Sequence, residues 1–141
     1  MNPLVVKYEG CILVCYADSV GVPTIGYGHT KGLKRADIGK KHITKLEATN
    51  LLEDDLKYFE GIIIKRFGYM PYKRMTALTS FIFNLGEGAL DGKSTKISTH
   101  VKNKDWQNVA AGMLYFNKAG GKVSNGLVNR RCEEASWIVQ G

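Results

Sequence analysis

Residues 7–30 read KYEGCILVCYADSVGVPTIGYGHT, and the organisation of the chain follows from how this stretch is parsed. Ile12, Val14 and Tyr16 alternate with the residues between them, the period of a strand. Asp18, Gly21 and Pro23 then supply turn chemistry, and Thr24 begins a returning strand punctuated by Gly26 and Gly28. The pattern predicts a short helix ending at Glu9, a break at Gly10, and a hairpin with Asp18 at its tip. Two carboxyls and a hydroxyl thereby fall at the separations Glu-x8-Asp-x5-Thr. Cutting a glycosidic bond needs one carboxyl to protonate the leaving oxygen and an ionised one to activate water or stabilise the sugar cation. A hydroxyl such as that of Thr24 can hold the water. On spacing alone, the simpler reading of Glu9 and Asp18 is a surface ion pair plus a turn-forming Asp. Gly26 and Gly28 lack the third glycine and the following helix of a dinucleotide loop.

Outward from this stretch, the pattern turns helical at Thr44. Thr44-Lys-Leu-Glu47 is a capping box, in which hydroxyl and carboxylate satisfy free amides at a helix start. Ala48, Leu52, Leu56, Phe59 and Ile63 follow as one apolar stripe, and Phe67-Gly-Tyr-Met-Pro71 ends the helix. A second helix carries Met75, Leu78, Ile82 and Leu85 on one face and stops at Gly86 or Gly88. Phe81 and Phe83 cannot both point inward from it. Shorter helices fit 94–103 and the segment from Asp105 to Phe116, with Trp106, Val109, Met113 and Phe116 inward. Ala119-Gly-Gly-Lys122 reads as a turn. A last helix from about Leu127 has Val128, Cys132, Ala135 and Val139 as its stripe. The expected fold class is α+β, as a single domain over 1–141. A small antiparallel sheet lobe at about 11–43 leads through a connecting helix at about 44–65 to a larger helical lobe. That lobe takes in about 66–141 and the N-terminal helix. A cleft is expected where the sheet faces the helices.

Composition narrows the classes. The chain has 141 residues, 44% hydrophobic and 23% charged, which excludes disordered and low-complexity proteins. No run approaches the roughly 18 apolar residues of a spanning helix. Lys7 and Glu9 come too early for a signal-peptide core. Cys11, Cys15 and Cys132 are odd in number and form no Cys/His cluster, so no metal site and no cofactor is expected. Reduced thiols are the simplest reading, with a bridge from Cys132 to Cys11 or Cys15 as the alternative. The formal charge of +7 favours an acidic partner without choosing among nucleic acid, cell surface and acidic polymer.

The segment Glu9…Asp18…Thr24-Ile-Gly-Tyr-Gly-His-Thr30 resembles the active-site signature of the phage-type lysozymes, a glycoside hydrolase family that includes lambdoid endolysins. Ser80-Phe-Ile-Phe-Asn-Leu-Gly86 is similar to that family's mid-chain helix. Ala119-Gly-Gly-Lys122 through Gly126-Leu-Val-Asn-Arg-Arg131 and Glu134 is similar to the endolysin C-terminal signature. Three blocks in the right order span nearly the whole chain. The resemblance implies a lysozyme-like fold and a monomeric muramidase that cleaves the β-1,4 bond between N-acetylmuramic acid and N-acetylglucosamine in peptidoglycan, lysing the host. Glu9 carries over as general acid, Asp18 as the carboxylate that activates water, and Thr24 as its partner. The family inverts, which implies carboxyl groups roughly 6.5–9.5 Å apart. Arg130 carries over as the cation that orients Glu9, its plain alternative being a helix pair with Glu134. Gly28, His29, Phe83, Asn84 and Ser94 are the implied substrate contacts. His29 also suits a structural hydrogen-bonder, Phe83 plain core, and Ser94 a helix cap. The resemblance further implies synthesis in the bacterial cytoplasm and action at the wall after release. An N-terminal membrane anchor in a longer form also occurs among such proteins.

The run Lys31, Lys34, Arg35, Lys40, Lys41 and Lys45, opposed only by Asp37, follows the hairpin. It suits a solvated face or attraction to an anionic envelope. A non-catalytic cationic protein that binds membranes or the envelope is the competing reading. No helix here pairs a basic face with a broad apolar one, and no nucleic-acid motif is present.

Overall fold

A computed structural model describes all residues, 1–141. By Cα proximity they form two compact units, one of Met1 and 3–58, the other of Asn2 and 59–141. The division falls inside one helix, α2 (Lys45–Phe67).

The first unit opens with α1 (Pro3–Glu9), which buries Leu4 and Val5. Strands β1 (Ile12–Ala17) and β2 (Pro23–Gly26) pair antiparallel, with Tyr16 opposite Thr24 and Ala17 opposite Pro23. The register shifts between Ile12 and Tyr16, a bulge that bends the ribbon. The other edge of β1 is covered as well. Gly39 and Ile43 donate to the carbonyls of Cys15 and Leu13 at 2.8 and 2.9 Å, and Cys15 donates to Lys41 at 2.9 Å. A third segment therefore lies along a ribbon that the hairpin pattern predicts as two-stranded. No hydrophobic alternation marks 39–43, because its contribution is made by backbone groups. Gly26 sits at φ +67, and a Cβ there would lie 3.4 Å from that of Ala48. A Cβ would fit there in ordinary contact, so it is the left-handed backbone that calls for glycine at this close approach to the first turn of α2. That turn carries the capping box: Thr44 N donates to Glu47 Oε1 and Glu47 N to Thr44 Oγ1, both at 3.1 Å. Ala48, Leu52 and Leu56 are buried as the stripe requires.

In the second unit, α3 (Tyr72–Leu85) is the central helix. Thr76 through Ile82 are buried without interruption, so it is covered on every side rather than along one stripe, and Leu85 is exposed. Phe81 is core and meets Phe116 edge-on at 5.3 Å, while Phe83 is half-buried, 5.4 Å from Phe59. A turn at Glu87–Asp91 leads to α4 (Ile97–Lys102) and α5 (Trp106–Met113), the latter capped by Asp105. The stretch predicted as a turn at 119–122 is a complete small hairpin, β3 (Lys118–Ala119) with β4 (Lys122–Val123). Gly120 and Gly121, at φ +58 and +81, supply the two left-handed residues that such a tight link needs.

The last helix, α6 (Asn125–Gln140), corrects the sequence reading most. Cys132 and Val139, expected inward, are exposed, and Arg130, Arg131, Glu134, Ala135 and Ile138 are buried instead. Mutual pairing offsets part of the cost of burying those charges. Arg130 Nε and Arg131 Nε lie 3.2 and 3.0 Å from the two oxygens of Glu134, and Ser80 Oγ donates to Glu134 Oε2 at 2.5 Å. All three cysteines are free thiols: Cys15 buried, Cys11 half-buried, Cys132 exposed. The chain contains no helix long and apolar enough to cross a membrane.

Candidate active site

Glu9 ends α1 and is half-buried. Asp18 follows β1 directly, and its Oδ1 accepts from the amides of Val20 and Val22 at 2.9 and 2.8 Å. Those bonds fold the chain between 18 and 22 around the carboxyl and fix its orientation. Oδ2 is left available to accept. Thr24 is buried, and its hydroxyl donates to Val22 O at 2.9 Å. Its proton is therefore committed, and its oxygen can only accept from a further partner.

Tyr16 ties these groups together. It stands directly opposite Thr24, and directly paired residues point to one face of a ribbon. Its phenol is held above its ordinary value, first by burial, then by the negative charges of Glu9 and of Asp18. Both carboxylates thus act on one phenol, which places Glu9, Asp18, Tyr16 and Thr24 in one neighbourhood. Sequence reasoning used Tyr16 only to mark a strand. Its place two residues before Asp18 and across from Thr24 is the signal that assigns it to the site.

The remaining expected contacts separate. Gly28 is half-buried at φ +77, in the tight link where Ile25 and His29 exchange backbone bonds at 2.9 Å. His29 is half-buried and lines a cavity of its own unit. Its Nδ1 lies 2.8 Å from Asp55 Oδ2 and its Nε2 2.9 Å from Lys31 O, so both ring nitrogens have protein partners. Ser94 is exposed in a turn and caps nothing, the residue before α4 being Lys96. Asn84 is clamped: Arg131 donates to its Oδ1 at 2.7 Å. A guanidinium carries no acceptor, so the atom facing it is the oxygen and Nδ2 is free to donate. Phe83 is half-buried beside Phe59. Arg130 is buried, bonded to Glu134 and, at 3.2 Å, to both Ser80 O and Ser80 Oγ. A cavity of about 410 Å³ lined by Ile25, His29, Lys31, Leu51 and Asp54 contains none of the carboxyl–hydroxyl set. No group of three His, Cys, Asp or Glu side chains is placed to hold a metal ion.

The phage lysozyme family model matches residues 6–134, which takes in the whole of this set. The chain belongs to the phage lysozyme family. It is a glycoside hydrolase of the lysozyme type, an endolysin. It is 33% identical over 134 residues to the endolysin of Salmonella phage P22, covering 94% of this chain and 90% of that one. Against the endolysin of Bacillus phage B103 it is 36% identical over 84% of its length, and spans 43% of that longer protein. The crystal structure of the active form of the P1 phage endolysin Lyz superposes with a TM-score of 0.83 at 27% identity. That match covers 98% of this chain and 82% of the other. The lysozyme-like fold expected from the three motif blocks is therefore the one found.

Proposed function

We propose that this endolysin hydrolyses the β-1,4 bond between N-acetylmuramic acid and N-acetylglucosamine with inversion, using Glu9, Asp18 and Thr24. The observation that carries the roles is the Asp18 turn: one oxygen pinned by two amides, the other open, beside a Thr24 hydroxyl whose own proton is already given away. In this scheme a water is held through one hydrogen by Thr24 Oγ1 and through the other by Asp18 Oδ2. Its oxygen adds to the anomeric carbon as the glycosidic bond breaks. Glu9 gives its proton to the departing oxygen and Asp18 takes one from the water, so protons balance over the step. The enzyme acts as a monomer, made in the bacterial cytoplasm and reaching peptidoglycan on release.

Clearing of purified peptidoglycan, followed by turbidity, tests this. Glu9→Gln is expected to slow clearing by about 10²–10⁴, the usual contribution of a general acid. Clearing at the wild-type rate would instead favour a non-catalytic envelope-binding protein. Fresh product ends in the α configuration, read by NMR before they mutarotate, would confirm inversion. Retained β ends would contradict the water-activating role of Asp18.

A further inference from the structure

Glu9, Asp18 and Thr24 each have a task in the proposed hydrolysis. Tyr16, a fourth polar side chain gathered with them, has none. It is half-buried and stands opposite Thr24 across the ribbon. The ribbon continues to Asp18, whose amide donates to Val22 O at 3.0 Å. Asp18 is two residues beyond Tyr16, the spacing that returns a strand to the same face. Thr24, Tyr16 and Asp18 therefore share one side of the hairpin.

The Tyr16 hydroxyl makes no hydrogen bond within the protein, although a partly buried phenol ordinarily finds a partner. Burial, then the negative charges of Glu9 and Asp18, hold that phenol above its ordinary value of 10.0. At neutral pH it keeps its proton and is a donor. Donors are what the rest of the set lacks. Thr24 has given its proton to Val22 O, Asp18 Oδ1 accepts from two amides, and the Glu9 proton goes to the leaving oxygen.

In an inverting hydrolysis the two carboxyls lie on opposite faces of the reacting ring, roughly 6.5–9.5 Å apart. A side chain in the field of both borders that ring at its edge, not above or below it. Two edges are available to a donor. At the ring oxygen, positive charge develops as the glycosidic bond breaks, and a donor would oppose it. At C2 stands the acetamido carbonyl, an acceptor on the edge where hydrogen bonds strengthen towards the transition state. We propose that Tyr16 is a substrate contact, its hydroxyl donating to the acetamido carbonyl of the N-acetylmuramic acid whose anomeric carbon reacts. This rests on the reading of the chain as an inverting muramidase that uses Glu9 and Asp18. No bond is made or broken at Tyr16. It selects an N-acetylated ring and fixes its edge while the carboxyls act on its faces.

The test compares wild type with Tyr16→Phe, which keeps the aromatic ring and removes only the hydroxyl. Two soluble four-sugar peptidoglycan fragments serve, one intact and one with hydrogen in place of the acetamido groups of its muramic acids. On the intact fragment, kcat/KM of Tyr16→Phe should fall about tenfold, the scale of one hydrogen bond, at an unchanged melting temperature. On the other fragment the two proteins should be equal, because the acceptor is gone. Equal rates on the intact fragment would overturn the proposal, and so would a tenfold gap that persists without the acetamido groups. A displaced pH–rate profile in Tyr16→Phe would also overturn it, by assigning the hydroxyl to the carboxyls. In a Glu9→Gln background, Tyr16→Phe should weaken binding of the intact fragment several-fold. That readout needs no turnover, so a wild-type chain that releases no reducing ends would strike the catalytic reading alone.

Discussion

Glu134 shows what a single buried residue decides in this enzyme. Burial pushes its carboxyl above the ordinary value of 4.5, against the pull of Arg131, Ser80 and Arg130. A raised carboxyl binds more protons folded than unfolded, so its contribution to stability is fully present below 4.5. That contribution is lost as pH rises through the raised folded value. Replacing Glu134 with Gln leaves two buried guanidiniums without their carboxylate and should cost about 3–5 kcal/mol in urea unfolding at neutral pH. The gap between wild type and variant should widen as pH falls from 7 towards 4.5; a constant gap would show that this carboxyl titrates at its unfolded value. The proposed catalytic residues were legible at this scale because Glu9, Asp18 and Thr24 lie within one short stretch with its own turn chemistry. Long-range side-chain pairs were not. Asp55 reaches His29 across 26 residues and Arg131 reaches Asn84 across 47, and no periodicity links such pairs.

At the scale of elements, the capping signals at Thr44 and Asp105 hold, whereas Ser94 does not cap α4. The Thr44–Glu47 box and the Asp105 cap depend only on residues three apart. Helix faces were less legible. The apolar stripe of α2 holds at Ala48, Leu52, Leu56 and Ile63, whereas α3 is buried all round and α6 turns its charged side inward. A hydrophobic pattern sends charges outward because it contains no term for the partners that neutralise them. Packing between α4 and α5 offers a test at this scale. A Cβ added at Gly112 would lie 2.9 Å from Ile97 Cγ1 and 3.4 Å from the Thr95 carbonyl oxygen. Ala favours helix by about 1 kcal/mol over Gly, but overpacking a filled contact costs about 1–3 kcal/mol. Gly112→Ala should therefore destabilise by about 1 kcal/mol in a urea titration; a stabilised variant would mean that α4 yields freely.

For the whole molecule, the charge of +7 gains a target from the family it belongs to. Lys31, Lys34, Arg35, Lys40, Lys41 and Lys45 are all exposed, so their attraction to an anionic wall is subject to screening. Raising salt from about 0.01 to about 1 M shortens the screening length from about 30 to about 3 Å and should slow clearing of sacculi several-fold. Hydrolysis of a short neutral oligosaccharide should barely change. Equal salt responses for the two substrates would show that this charge plays no part in reaching the wall. The sequence by itself determined the hairpin, the helix starts and stops and the Glu–Asp–Thr motif, because each depends on neighbours a few residues apart. Only the tertiary structure decided that Arg130, Arg131 and Glu134 are interior, that His29 is tied to Asp55, and that Tyr16 feels both carboxylates. Those outcomes depend on desolvation and on partners brought from distant positions, and both arise only once the chain has folded.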